Sequence, residues 1–468
     1  MKTLISTLNL LGHFEYGRGH ITKFLATIEV VELRGAVGQV DQQLERWRSN
    51  LARLRSEFLL LNFFNLREIF RISELLAALG AADAVPDELV QLFRLIDREA
   101  TQEKLQTDLL TQYHAKAETA PADEPVLCPV TRAMTQLGTL LQTLYSTLQP
   151  SVRRLHVLEG QCLVQGDLIV SHMSSTEVEH DSIPVFVTVA DTPAAVYAIV
   201  LSLYARRGRL PEPDELLMCT SQTTLETAIL ILRRFIRARN LNRADRIFCI
   251  ANVHLLQYPV QIALVDEVRR LLALHGVKDA APLVFVSGAA EQLIVNALSK
   301  NCIRISPLSA RMLQSVGKNA ASDYFNELKA VRSAMNGDGK TDWILRQVAR
   351  IQSEAERASK PVPEYFHVSI REATDMQVLI QMLCSAQREA APAVPIIFHL
   401  DISHIVPECI NVMLFDLLIT GTLHDFEACS VYHRRPIDSF FVEIPNSPGD
   451  RTARAIQFLQ LLPTVQLD

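Results

Sequence analysis

From Ile183 to Ile444 short apolar runs alternate with longer stretches whose apolar residues recur every three or four positions. Val185-Phe-Val-Thr-Val-Ala190, Glu215-Leu-Leu-Met-Cys219, Arg246-Ile-Phe-Cys-Ile-Ala251, Leu283-Val-Phe-Val-Ser287 and Cys302–Ile305 read as strands. The spacing predicts helices between them at Ala194–Tyr204, Leu225–Arg237, Val260–Leu274 and Ala290–Leu298. A second series has strands at Leu328–Arg332, Tyr365–Ile370, Pro395–Asp401 and Ser439–Ile444, and helices at Trp343–Ala358, Met376–Gln387 and Ile410–Thr420. A strand that is apolar on both faces must be covered on both faces, and helices joining parallel strands do that. The chain is therefore expected to be α/β, with one parallel-sheet unit at residues 183–310 and another at 320–468.

The part before these units has a different texture. From about residue 20 to 115 it reads as helix, with Leu44, Trp47, Leu51, Leu54 and Phe58 forming an apolar stripe. Leu61-Asn-Phe-Phe-Asn-Leu-Arg-Glu68 belongs to a segment apolar on nearly every side, which should lie between neighbouring helices. Arg71–Leu79 is expected as a third helix, and a fourth should start after Val85-Pro86 with Asp87 as its N-cap. Lys116 to Leu127 is polar and proline-bearing, as in a linker. A helix at Val130–Thr147 and strands at Leu155–Leu158 and Leu163–Val170 follow, then a polar break from Ser174 to Ser182. These features divide the chain into a helical arm at 1–125, a linker segment at 126–182, and the two sheet units.

One loop carries candidate chemistry. The strand ending near Arg332 runs through Asn336-Gly337-Asp338-Gly339 into Lys340-Thr341 and then a helix. Strand, glycine loop, Lys-Thr and helix are the parts of a phosphate-binding loop. Its backbone N–H groups cradle phosphates, the Lys reaches the β/γ oxygens and the Thr hydroxyl faces Mg²⁺. The pattern G-x-x-x-x-G-K-[ST] asks for glycine at 334, where this chain has Ala334. Asp401 closes an apolar strand two strand–helix steps later, where an aspartate holds Mg²⁺. Asn446, just past the next strand, is the polar residue expected to sense the γ-phosphate. The glutamate that would orient an attacking water belongs directly after Asp401, but Ile402 stands there, followed by Ser403 and His404. These residues indicate Mg²⁺-nucleotide held without turnover. By contrast, Thr188-Val-Ala-Asp-Thr-Pro-Ala194 after the first unit's first strand contains no glycine, so that unit is expected to be degenerate.

Other clusters are weaker. Ser315-Val-Gly-Lys-Asn319 has one glycine and follows no strand, so it reads as a surface turn. His424, Cys429 and His433 fit no standard zinc spacing. Arg233, Arg234, Arg237, Arg239, Arg243 and Arg246 read first as a solvated helix face, then as an inter-domain or inter-subunit contact. No aromatic residues interleave with them for base stacking, and the net charge is −6, so neither DNA nor RNA is an expected partner. Eight singly placed cysteines with no Cys-x-x-Cys suit a reducing, cytoplasmic setting. No run approaches 18 uncharged apolar residues, so no transmembrane segment is expected.

Leu210-Pro-Glu-Pro-Asp-Glu-Leu-Leu-Met-Cys-Thr220, Thr223-Thr-Leu-Glu226, Val331–Thr341 and Ile397-Phe-His-Leu-Asp-Ile-Ser403 resemble the mysterin family, giant RING-finger ubiquitin ligases with a dynein-like AAA+ core. The similarity runs with gaps over about 40–445 and includes Leu61–Glu68. It implies a helical arm, a degenerate AAA+ unit and a second AAA+ unit that keeps ATP and Mg²⁺. The family's loop also lacks the first glycine, and an apolar residue follows its strand-end acid. Carried onto this sequence, Gly337, Gly339, Lys340 and Thr341 contact phosphate and Mg²⁺, and Asp401 contacts Mg²⁺. The resemblance further implies that Asp468 falls before the second unit's lid, the hydrolytic units and any ligase module. The chain would then be part of a larger AAA+ ubiquitin ligase or a reduced paralogue. The expected role is ATP binding without hydrolysis; the alternatives are a ligand-free interaction scaffold and an active ATPase segment.

Overall fold

The computed structural model describes residues 30–79, 84–107, 129–145, 185–241, 243, 245–275, 281–309, 312–313, 328–333, 339–445 and 464–467. The runs expected as strands at 155–158 and 163–170, and the turn at 315–319, lie outside these residues.

Among the described residues the arm opens with α1 (Val30–Glu57) and a short tight-wound turn, Leu59–Phe63. Three helices follow: α2 (Leu66–Ala78), α3 (Asp87–Phe93) and α4 (Pro129–Leu144). A reciprocal cap starts α2: the Asn65 side chain accepts from Glu68 N at 2.8 Å, and Asn65 N donates to the Glu68 carboxylate at 2.7 Å. Pro86, not Asp87, caps α3; Asp87 is its first residue and complements the helix dipole. Phe64, Ile69, Leu92 and Phe93 of the arm are buried together with Met134 and Leu141 of α4, which belongs to the segment expected as a linker.

The first sheet contains β1 (Val185–Val189), β2 (Leu216–Met218), β3 (Phe248–Ala251) and β4 (Leu283–Ser287), in the order β1-β4-β3-β2 and all parallel. Helices α5 (Ala195–Ala205), α6 (Leu225–Ile236), α7 (Tyr258–His275) and α8 (Leu293–Ala297) cover it. The strand expected at Cys302–Ile305 reduces to one bridge, Val187 to Cys302, with Ile303 N bonded to Val187 O at 2.9 Å. The chain stays alternately exposed and buried through Ile305 but parts from β1 after that contact.

The second sheet holds β5 (Leu328–Ser333), β6 (Glu364–Ile370), β7 (Ile396–Ile402), β10 (Ser439–Glu443) and β11 (Thr464–Leu467). Its order is β11-β5-β10-β7-β6, all parallel, so the first strand lies inside the sheet with a neighbour on each side. Helices α9 (Lys340–Arg357), α10 (Met376–Glu389) and α11 (Ile410–Phe415) join its strands. The bridge beside β1 gives the first sheet the same order. In each, the order reverses beside the first strand, where open α/β sheets bind ligands. The expected helix Ile410–Thr420 widens after Phe415 into a looser turn, Asp416–Thr420, which ends at Gly421 with φ +74°.

Two elements have no counterpart in the sequence reading. An antiparallel hairpin, β8 (Thr422–Asp425) and β9 (Ser430–His433), precedes β10, and β11 extends the sheet beyond β5. Phe398 and Phe440 stack with centroids 4.9 Å apart inside the second sheet's core. The two units share one apolar cluster, in which Tyr197 of α5 meets Phe415 of α11 at 5.7 Å.

The arm is bonded to both units. Towards the first, Arg55 and Leu66 N donate to Glu226 at 3.2 and 3.0 Å, and Arg234 donates to Asn62 O at 2.6 Å. Towards the second, Asn65 donates to Phe426 O at 3.0 Å, Arg98 to Thr420 O at 2.6 Å, and His424 contacts Glu68. The reading of the arginine run as a solvated face is therefore corrected for Arg234, Arg243 and Arg246, all buried. The guanidinium groups of Arg234 and Arg243 lie over the Phe63 ring of the arm at 5.3 and 5.1 Å. Arg243 and Arg246 pair with Asp214. Only Arg233 and Arg234 lie in α6, which ends at Ile236, so a reading of the whole run as one helix face could not separate the arginines that meet water from those that meet a neighbour.

Candidate functional site

The C-terminal edges of the two sheets differ. In the first, Pro193 and His254 close over Gly288: a Cβ at Gly288 would lie 2.8 Å from Pro193 Cα and 2.7 Å from the His254 ring. Gly288 N donates to His254 Nδ1 at 3.0 Å. The segment after β1 is drawn down onto the ends of β3 and β4, and no glycine loop rises from it. This is the structural form of the degeneracy read from Thr188–Ala194.

In the second sheet, β5 leads to Gly339, whose φ of +69° is the left-handed conformation that glycine adopts without a Cβ penalty. Gly339 is the N-cap of the 18-residue helix α9 and has no side chain to accept from the first-turn N–H groups. Lys340 and Thr341 occupy that first turn, and Trp343 N closes it on Gly339 O at 2.7 Å. The helix thus begins three residues before the expected Trp343. Of the loop residues, Asn336, Gly337 and Asp338 lie outside the described residues, as does Asn446.

Asp401 lies in β7 in register with Ser369 of β6 and Glu443 of β10, and its side chain is 42% exposed. His367 Nε2 stands 3.8 Å from its carboxylate. Ile402 is 2% exposed and belongs to the core, so no carboxylate follows Asp401; His404 is exposed.

The sequence reading missed a polar chain beneath Thr341. Thr341 Oγ1 donates to Glu443 Oε2 at 2.9 Å. The same oxygen lies 3.0 Å from His399 Nε2, and His399 Nδ1 lies 2.9 Å from the Tyr365 hydroxyl. Burial tends to raise the Glu443 carboxyl, but the His399 and Thr341 hydrogen bonds and the nearby Lys340 charge outweigh it and hold the group below its usual value. An ionised carboxylate only accepts, so Nε2 carries the ring hydrogen. Burial, aided by the Glu443 and Asp401 charges, keeps the Tyr365 hydroxyl protonated, and it donates to Nδ1. Each link comes from a different strand: Tyr365 from β6, His399 from β7, Glu443 from β10. Their common signal was one polar residue inside an otherwise apolar strand run, as in Ile396-Ile-Phe-His-Leu400 and Phe440-Phe-Val-Glu-Ile444.

His424 and His433 have protein partners. His433 Nε2 donates to Gln91 O at 3.0 Å, and its Nδ1 lies 3.0 Å from the Thr422 hydroxyl. Among the described residues no group of three His, Cys, Asp or Glu is arranged to hold a metal ion, and no helix is long and apolar enough to cross a membrane.

Comparison with known proteins agrees with this architecture. Two family profiles, each described as an RNF213 AAA domain, match residues 184–303 and 326–467, together more than half of the chain. The mouse E3 ubiquitin-protein ligase RNF213 is 24% identical over 476 residues, covering 93% of this chain and 9% of that protein. The human E3 ubiquitin-protein ligase RNF213 is 22% identical over 499 residues, covering 96% of this chain and again 9% of the relative. The chain thus spans about 9% of the length of these curated relatives. With two AAA profiles falling in succession on two parallel sheets of the same strand order, the chain belongs to the RNF213, or mysterin, family and carries AAA units of its AAA+ core.

Proposed function

We propose that the second unit binds ATP with Mg²⁺ at the C-terminal ends of β5, β10 and β7 and holds it without turning it over. The nucleotide would act as a structural ligand of the AAA+ core. The observation that carries this reading is Gly339 in the left-handed conformation, placing Lys340 and Thr341 in the first turn of α9, the helix that follows an interior strand. The residues fit the group. The helix N-terminus offers N–H donors to phosphate, Lys340 a cation, and Thr341 and Asp401 the hard oxygens that Mg²⁺ prefers. Bound Mg²⁺-nucleotide would supply the charge that these donors and carboxylates are arranged to meet. Asn336, Gly337 and Asp338 would complete the phosphate loop, and Asn446 would stand beside the γ-phosphate. Burial of Ile402 where a water-orienting glutamate is needed supports binding without hydrolysis.

On this reading residues 1–125 form the arm, 126–182 a linker segment, 183–310 the degenerate unit and 320–468 the nucleotide unit. The chain would act within a larger ubiquitin ligase of the kind its relatives' names describe, in the reducing cytoplasm that its six described free thiols suit. A ligand that binds only the folded state adds RT ln(1 + [L]/Kd), about 4 kcal/mol at a thousandfold excess over Kd. The test is to purify the chain, denature it and separate the released small molecules by anion exchange, with thermal melts in Mg-ATP alongside. ATP or ADP in the supernatant and a raised Tm are expected. Absence of both would leave a ligand-free scaffold. Steady phosphate release abolished by Lys340→Ala would make the chain an active ATPase.

A further inference from the structure

A hydroxyl carries one hydrogen and two lone pairs. When it serves a cation through a lone pair, its hydrogen must point elsewhere, and the acceptor that takes it decides where the lone pairs face. Glu443 is that acceptor in this structure, 2.9 Å from Thr341 Oγ1. It is also held firmly: its side chain is 13% exposed, and its Oε2 is bonded to the fully buried His399. His399 in turn meets the Tyr365 hydroxyl at 2.9 Å. Register places Glu443 between Val331, two residues before the end of β5, and Asp401, one residue before the end of β7. It therefore lies on the sheet side of Thr341, between the strand that feeds the loop and the strand that carries the acid.

We propose that Glu443 is the positioning residue for the cation at this site: it accepts the Thr341 hydroxyl hydrogen bond and so turns the hydroxyl lone pairs outward, while His399 and Tyr365 hold Glu443 in place. The proposal rests on the nucleotide reading above. Glu443 needs no contact with the cation to act this way; it sets the rotor of the residue that has one. Partners that orient metal ligands from behind change metal affinity by about 10–100-fold when removed. Asp401 cannot substitute, because its carboxylate is far more exposed and faces His367.

The test uses the full chain and follows Mg²⁺ affinity at fixed ATP by calorimetry, beside ATP binding in excess EDTA. Glu443→Gln should weaken Mg²⁺ by about 10–100-fold and leave metal-free nucleotide affinity unchanged. Tyr365→Phe, which removes one distal oxygen, should show a smaller loss in the same direction and carries the test if Glu443→Gln does not fold. In a Thr341→Val background, Glu443→Gln should have no further effect on Mg²⁺, since the role acts through that hydroxyl. Unchanged Mg²⁺ affinity in both single variants overturns the proposal. So does an equal loss with and without Mg²⁺, or a full second loss in the Thr341→Val background. If the wild-type chain binds no nucleotide, the site reading itself falls; if it binds Mg-ATP normally and Glu443→Gln does too, only the positioning role falls.

Discussion

Acidification should loosen the arm from the second unit through His433. This imidazole is buried between the hairpin and the arm, donating from Nε2 to Gln91 O and receiving the Thr422 hydroxyl at Nδ1. Both ring nitrogens are committed in the neutral form, and a proton on Nδ1 would face a hydroxyl that must turn its hydrogen away. Burial comes first in holding its pKa well below 6.5, followed by the Arg98 and Arg94 charges on the arm; His424 adds slightly, and the bond to Gln91 opposes them. A depressed folded-state pKa contributes stability that is complete above the unfolded value and lost as pH falls towards the folded one. With an unfolded pKa of about 6.5 and a folded value well below it, stability falls by RT ln(1 + 10^(6.5 − pH)). That is under about 0.1 kcal/mol at pH 7.5 and at most about 2 kcal/mol at pH 5.0. Urea unfolding across this range, with amide exchange read at the peptides carrying Gln91 and His433, gives the wild-type slope. His433→Gln keeps amide donor and acceptor capacity but does not titrate, so the difference between the two proteins removes the contribution of the remaining histidines. The expected difference grows as pH falls from 7.5 to 5.0, by up to about 2 kcal/mol. Parallel curves, within about 0.5 kcal/mol, would refute the assignment.

Three further outcomes follow from packing and bonding. Phe398→Ala removes a fully buried ring stacked on Phe440 and should destabilise the protein by about 3–5 kcal/mol in equilibrium denaturation. Asp438→Ala should cost about 3–5 kcal/mol by the same measurement, because the buried carboxylate accepts from Ile396 N at 3.0 Å and from Arg435 at 2.7 Å; Asp438→Asn should recover part of it. Gly138→Ala, although alanine favours a helix, should cost about 1–3 kcal/mol, because a Cβ there would collide with the base of the Phe58 side chain. A stabilising Gly138→Ala in thermal melts would show that α4 can shift away from α1.

The alternation of apolar runs and helical stretches determined the fold class without help. A strand covered on both faces leaves few options, and both sheets came out parallel, with interior strands close to their expected ends. Gly339-Lys340-Thr341 stood out as a candidate loop because a motif is carried by its order along one segment, and Gly339 does open the helix that begins at Lys340. The hairpin at 422–433 was not. Its four-residue strands carry His and Asp, and they exist because the arm and α10 lie against them. Nor could the sequence say that Arg234 reaches the arm, or that Tyr365, His399 and Glu443 form one chain under Thr341. Those residues sit far apart in sequence and meet only because β6, β7 and β10 are neighbours in the sheet. Periodicity reports which face of an element is apolar; what that face meets is set by strand order and register, which are tertiary.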